Sequence, residues 1–282
     1  MNSQPLALNA LTRHWERYQS ELKTCRREFS EEAVHDFRVA ARRLMATLDL
    51  LRAMMPGAKI KKIRRMLKDQ LDNLDDLRDV QVMLADISET IQDQPALKPF
   101  QEYLQRKERK LLRIARREIA ALKTADLSSR IERLERAAAF PSDSLDAGLL
   151  PAADSAYSRV MERFAQMDPA QPAAIHRLRI AFKKFRYMVE SIRPILEDFP
   201  EDYLKQLRDY QTLMGDIQDL EAALQELAEF EALAPAGYDP ETLRRYYMER
   251  RASAIARYME AKDQIFLFWR AAPDQPYPKE SE

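Results

Sequence analysis

Apolar residues recur along this chain with the period of a helix. Counting from Val34, the positions Val34, Phe37, Ala41, Leu44, Leu48 and Leu51 fall at offsets 0, 3, 7, 10, 14 and 17 and trace one stripe. Counting from Ile175, the same offsets carry Ile175, Leu178, Phe182, Phe185, Val189 and Ile192. Each stretch predicts an amphipathic helix. Upstream, Leu8, Leu11, Trp15, Tyr18 and Leu22 share a face and predict a helix from Leu6 to Arg27. Ser30 is placed to cap the next helix, with Glu31 and Glu32 in its first turn, and Pro56-Gly57 ends it. A long helix is expected from Ala58 to Ile91, another from Phe100 to Lys123, and a short piece from Leu127 to Phe140. Residues 141–151 read as a linker. Beyond it, helices are expected from Ala152 to Met167, from Pro172 to Glu197 with a kink at Pro194, from Glu201 to Leu233 and from Glu241 to Arg270. The last residues, 272–282, read as a disordered tail. No stretch alternates as a strand does, so the expected class is all-α.

The two stripes belong to a longer repeat. In the long helices Leu67, Leu74, Leu77 and Leu84 correspond, 140 residues on, to Leu207, Met214, Ile217 and Leu224. Asp76 and Asp79 correspond to Asp216 and Asp219 at the same offset. In the last helices Glu108, Arg109 and Lys110 align with Glu249, Arg250 and Arg251. Three helices in near-constant register indicate a duplicated four-helix unit. Residues 1–140 form one copy and 152–271 the other, each expected to close as an antiparallel bundle.

Composition narrows the chemistry. With 46 basic and 46 acidic residues the chain has no net charge, so any polyanion site must come from charges sorted in space. Four glycines leave little room for phosphate-cradling loops, and no P-loop, nucleophile-elbow or H-E-x-x-H motif occurs. Cys25 is the single cysteine, which excludes an intrachain disulfide and fits a reducing cytoplasm. The N-terminus lacks a secretory pattern and no apolar run is long enough to span a membrane, so a cytoplasmic location is expected.

One feature of the repeat is chemical. His35, Arg38, Arg42 and Arg43 match His176, Arg179, Lys183 and Lys184. At about 100° per residue, His35, Arg38 and Arg42 form a second stripe beside the apolar one, at a seam between helices. Their stems can pack while their heads reach outward. Lys and Arg on a helix are usually a solvated face. Such a face carries interleaved carboxylates, and this helix offers almost none. The repulsion calls for an anion or an acidic neighbouring helix. Asp76, Asp79, Asp216 and Asp219 are the expected structural neighbours, orienting the Arg and His heads. A D-x-x-D metal site is the weaker alternative, because no His or Cys stands at ligand spacing. The paired histidines could contact an anion or simply pack. His14 has no repeat partner and reads as incidental.

The segments VHDFRVAARRL, LDDLRDV, IHRLRIAFKKFRYMVE and LMGDIQDL resemble the conserved-histidine α-helical domain family, written CHAD. The resemblance implies two four-helix bundles related by a pseudo-twofold axis. It also implies a basic groove that binds inorganic polyphosphate, and association with polyphosphate granules and their proteins. Carried over residue by residue, it implies as ligands His35, Arg38, Arg42, Arg43, Arg65, Lys68, Arg109, Lys110 and Arg116 in the first half. In the second half it implies His176, Arg179, Lys183, Lys184, Arg186, Lys205, Arg208, Arg250, Arg251 and Arg257. The E-x-E-x-K signature of the triphosphate-tunnel domain often fused to this family is absent, so a non-catalytic binding module is expected, with no cofactor or metal. Met45 stands where the second half has Arg186, so the first half lacks one cation of that stripe. Aromatic residues do not interleave with the cations, which disfavours specific nucleic-acid binding. A helical scaffold for an acidic protein, and a polyphosphate hydrolase, are the competing expectations.

Overall fold

Ser30 does what its position predicts: its Oγ accepts from Ala33 N at 3.1 Å and starts the second helix. Phe29 before it turns the chain through a left-handed backbone (φ 45°), with its N–H bonded to Cys25 O at 3.0 Å. The resulting hairpin places the first apolar stripe against the second. The computed structural model describes residues 6–55, 58–138, 147–196, 199–200, 202–233 and 240–278. Its helices are α1 (Leu6–Glu28), α2 (Glu31–Met54), α3 (Ile60–Thr90), α4 (Lys98–Ala121), α5 (Ala125–Ala138), α6 (Leu149–Ala165), α7 (Pro172–Ile192), α8 (Tyr203–Glu231) and α9 (Pro240–Ala261). The protein is all-α, with no strand among the described residues.

Three sequence expectations shift. Pro194 ends α7 rather than kinking it: the helix stops at Ile192 and a short 3₁₀ turn, Arg193–Ile195, follows. The last helix is shorter than its apolar pattern suggested and passes into a 3₁₀ segment, Lys262–Leu267. The tail is not uniformly loose. Tyr277 packs edge-on against Phe199 and Trp269, each at 5.2 Å, and Tyr203 Oη donates to Pro278 O. Residues 279–282 and most of the expected linker, 141–146, lie outside the described residues, and Leu149 to Pro151 are already helical.

Neighbours in sequence pack as neighbours in space: α1 on α2, α2 on α3, α3 on α4, then α6 on α7, α7 on α8 and α8 on α9. The halves meet where α2 lies on α6 and α7, and where α3 and α4 lie on α8. One apolar core runs through both. The two matched basic helices, α2 and α7, therefore lie side by side at the joint.

Candidate anion-binding site

Arg38 and Arg42 are one turn apart on α2, and both turn toward α3. Arg38 is 5% exposed. It donates from Nη1 to Leu74 O at 2.7 Å and from Nη2 to Asp75 Oδ1 at 2.5 Å. Arg42 donates from Nη2 to the same Asp75 oxygen at 3.3 Å. Burial lowers the pKa of Arg38 to about 10, with Arg42 adding to the effect and Asp75 opposing it. The carboxylate that organises this pair is thus Asp75, beside the expected Asp76 and Asp79. Asp79 acts on Arg38 and Arg179 from beyond ion-pair distance. Asp76 is exposed.

On α7 the matching pair is Arg179 and Lys183, and its surroundings differ. Arg179 packs over Gly215 of α8, and its buried Nε makes no hydrogen bond to the protein. Among the described residues no carboxylate lies within 4 Å of the charged ends of Arg179 or Lys183. Burial pushes Lys183 down to about 6, and Arg42, Arg179, Arg38 and Arg186 push it in the same direction. Asp219, crowded among these groups yet open to solvent, is raised to about 6, mainly by desolvation. Four cations from two helices thus cluster at the joint, and two of them lack a close counter-ion.

The remaining expected ligands fall into other environments. His35 is exposed on α2 beside Arg38 and Arg42, and partial desolvation, then Arg78, lowers its pKa. His176 is half-buried, with Nδ1 unbonded. Lys184 turns away to Asp49 Oδ2 at 3.1 Å, and Arg64 Nε contacts the other oxygen of this buried carboxylate at 2.9 Å, off the N–H axis. Arg186 does not add a free cation: its Nη1 donates to Glu190 Oε1 at 2.5 Å and its Nε to Gln211 Oε1 at 2.8 Å. Arg250 clamps Asp86 of α3 through two bonds of 2.5 and 2.6 Å, Arg251 binds Glu221 at 2.8 Å, and Arg257 stands 3.4 Å from Asp216. Lys68 and Lys205 are exposed and paired one turn on, to Asp72 and to Asp209 at 2.7 Å. Arg65, Arg109, Lys110 and Arg116 are exposed, and no contact among the described residues joins them to the central cation cluster.

Arg43 and Arg208 belong to a second basic hollow, of about 470 Å³, whose wall includes Arg13, His14 and Arg17 of α1. His14 is not incidental. Its Nδ1 lies 2.7 Å from Thr47 Oγ1, and burial lowers its pKa to about 4. Sequence reasoning missed Arg13 and Arg17 because α1 lacks a matched partner stripe in the second half. It missed Asp75 for a related reason: position 75 departs from the repeat, with Gly215 as its counterpart. Among the described residues, no group of three or more His, Cys, Asp or Glu is placed to hold a metal ion, and no helix is long and apolar enough to cross a membrane.

The chain is similar to the CHAD domain of the plant Ricinus communis, with a TM-score of 0.72 at 20% identity over 97% of this chain and 92% of that one. Identity this low speaks for the fold alone. No curated protein matches the sequence. The family description "CHAD domain" matches residues 7–228, ending within α8 and short of α9. With most of its length so matched, this chain belongs to the CHAD domain family.

Proposed function

We propose that the chain is a non-catalytic binding module for inorganic polyphosphate, acting in the cytoplasm at polyphosphate granules. The observation that carries this reading is the cluster of cations at the joint of α2 and α7. Holding Arg179 and Lys183 together without a close carboxylate costs free energy, which a bound polyanion would offset. The ligand class follows from the donors. Guanidinium forks at Arg42 and Arg179 suit phosphate oxygens, and Lys183 serves as a point charge. Most of the described aromatic side chains are buried in the core, so a chain of bare phosphates suits the cluster better than a nucleic acid. We further read the halves as two bundles about a pseudo-twofold axis that runs between α2 and α7. The repeat and the pairing of α2 with α7 and α3 with α8 support that reading.

A scaffold for an acidic protein would call for a broad exposed apolar surface. Large exposed apolar side chains among the described residues are few: Ile180, Leu233, Met248 and Phe266. The deciding experiment is calorimetric titration of the protein with polyphosphate from 50 to 500 mM salt, with DNA, RNA and nucleoside triphosphates as competitors and orthophosphate release assayed in parallel. Expected are preference for polyphosphate, affinity that falls steeply with salt, and no orthophosphate. Affinity independent of salt sinks the electrostatic reading, and steady orthophosphate release sinks the non-catalytic one.

A further inference from the structure

The two halves of the cation cluster are not equivalent, and the difference lies at one repeat position. In the first half, Asp75 of α3 sits beneath Arg38 and Arg42 and contacts both, at 2.5 and 3.3 Å. In the second half, Arg38 becomes Arg179, Arg42 becomes Lys183 and Asp75 becomes Gly215. The cations are kept and their carboxylate is deleted. A Cβ built at Gly215 would stand 3.7 Å from both Nε and Nη2 of Arg179, an ordinary contact distance. Nothing steric therefore excludes a side chain there. A carboxylate on that Cβ would reach the guanidinium, as Asp75 reaches Arg38.

We propose that Gly215 and Asp75 set where a polyanion anchors: Gly215 leaves Arg179 and Lys183 without a carboxylate partner, as the primary phosphate subsite, while Asp75 offsets part of the charge of Arg38 and Arg42. This inference rests on the polyphosphate reading above and adds to it the half that does the gripping and the residues that decide it. The extra cation that the second half carries opposite Met45 does not account for the difference. Arg186, the extra cation of that stripe, is neutralised by Glu190 at 2.5 Å. The unpaired state of Lys183 agrees with the assignment, since only cations and burial dominate its surroundings. Arg38 moreover spends its other nitrogen on the buried carbonyl of Leu74, at 2.7 Å, and so is held as structure. Arg179 has no such bond from its buried Nε, so its guanidinium is not tied to the fold at that atom.

Charge is separable from volume at both positions, which makes the test clean. Medium-chain polyphosphate is titrated into the full chain and into G215D, G215N, D75N and the double variant G215D/D75N, each across a salt series. Helicity and melting are recorded to verify folding. Asn at 215 matches Asp in size but not in charge. G215D should bind at least tenfold more weakly than G215N, and its log–log salt slope should be shallower by about 1–2, the share of two phosphate contacts. D75N should bind several-fold more tightly than the parent chain, because Arg38 and Arg42 lose their carboxylate. The double variant should recover much of the affinity lost in G215D. Equal affinity and slope for G215D and G215N, in a parent chain that binds, overturn this inference and leave the polyphosphate reading standing. A parent chain that binds no polyphosphate overturns both.

Discussion

Replacing Lys183 with methionine should stabilise the folded protein while weakening its binding. The substitution keeps length and flexibility and removes only the charge. In the folded state burial and four neighbouring cations push the Lys183 amine from 10.5 down to about 6. At pH 7 folding must therefore strip a proton that the unfolded chain holds. The gap of 3.5 units from 10.5 to pH 7, at about 1.4 kcal/mol each, bounds the cost at roughly 5 kcal/mol. Lys183 keeps partial contact with solvent, which brings the expected gain of K183M down to roughly 2–3 kcal/mol. For a chain of this size that is a rise in Tm of roughly 5–10 °C. The pH dependence has a definite sign. Between about pH 6 and 10.5 the unfolded chain binds the proton and the folded chain does not, so this contribution to wild-type stability rises with pH. Denaturant titrations of both proteins at pH 6.5, 7.5 and 8.5 should show the stability gap narrowing as pH increases. Polyphosphate affinity should fall at least tenfold in K183M. A K183M protein that is less stable than wild type at pH 7, or a gap that stays constant with pH, would refute this account of an uncompensated cation.

Other outcomes follow from the same contacts. Arg38→Met leaves Asp75 and the Leu74 carbonyl without their buried partner and should cost about 3 kcal/mol by chemical denaturation, whereas Arg179→Met should cost under about 1 kcal/mol and still reduce polyphosphate affinity. Binding at pH 7.5 should take up a fraction of a proton, as phosphate restores the Lys183 ammonium; titrations in buffers of different ionisation enthalpy measure it, and the uptake should vanish in K183M. Arg250→Met removes the bidentate bridge from α9 to Asp86 on α3 and should lower stability by about 1–2 kcal/mol, with affinity changed less than about threefold. Tyr277→Ala should cost about 1–3 kcal/mol in thermal melts, because the ring packs on Phe199 and Trp269.

Helix existence and the identity of the core were legible in the sequence because both depend on local periodicity. Phe37, Leu44, Leu178 and Phe185 all sit on the expected stripes and are completely buried. The Ser30 cap and the proline boundaries were legible for the same reason: they act within one turn. The repeat went further and singled out His35, Arg38, Arg42 and Arg43 with His176, Arg179, Lys183 and Lys184 as a matched set. It could not say which members were spent within the fold. Lys184 and Lys183 are adjacent in sequence, yet one faces the buried Asp49 across the joint and the other faces only cations. Arg250 and Arg251 are both expected ligands by resemblance, and both are held by carboxylates of other helices. Pairing between distant helices depends on where their faces meet, and a one-residue rotation of about 100° moves a side chain to another neighbour. That is why α3 presents Asp75 to Arg38, beside the expected Asp76 and Asp79. The sequence by itself thus determined an all-α chain with a duplicated basic stripe. Only the tertiary structure decided which cations are neutralised, because that depends on the distance from each charged head to the nearest carboxylate of another helix.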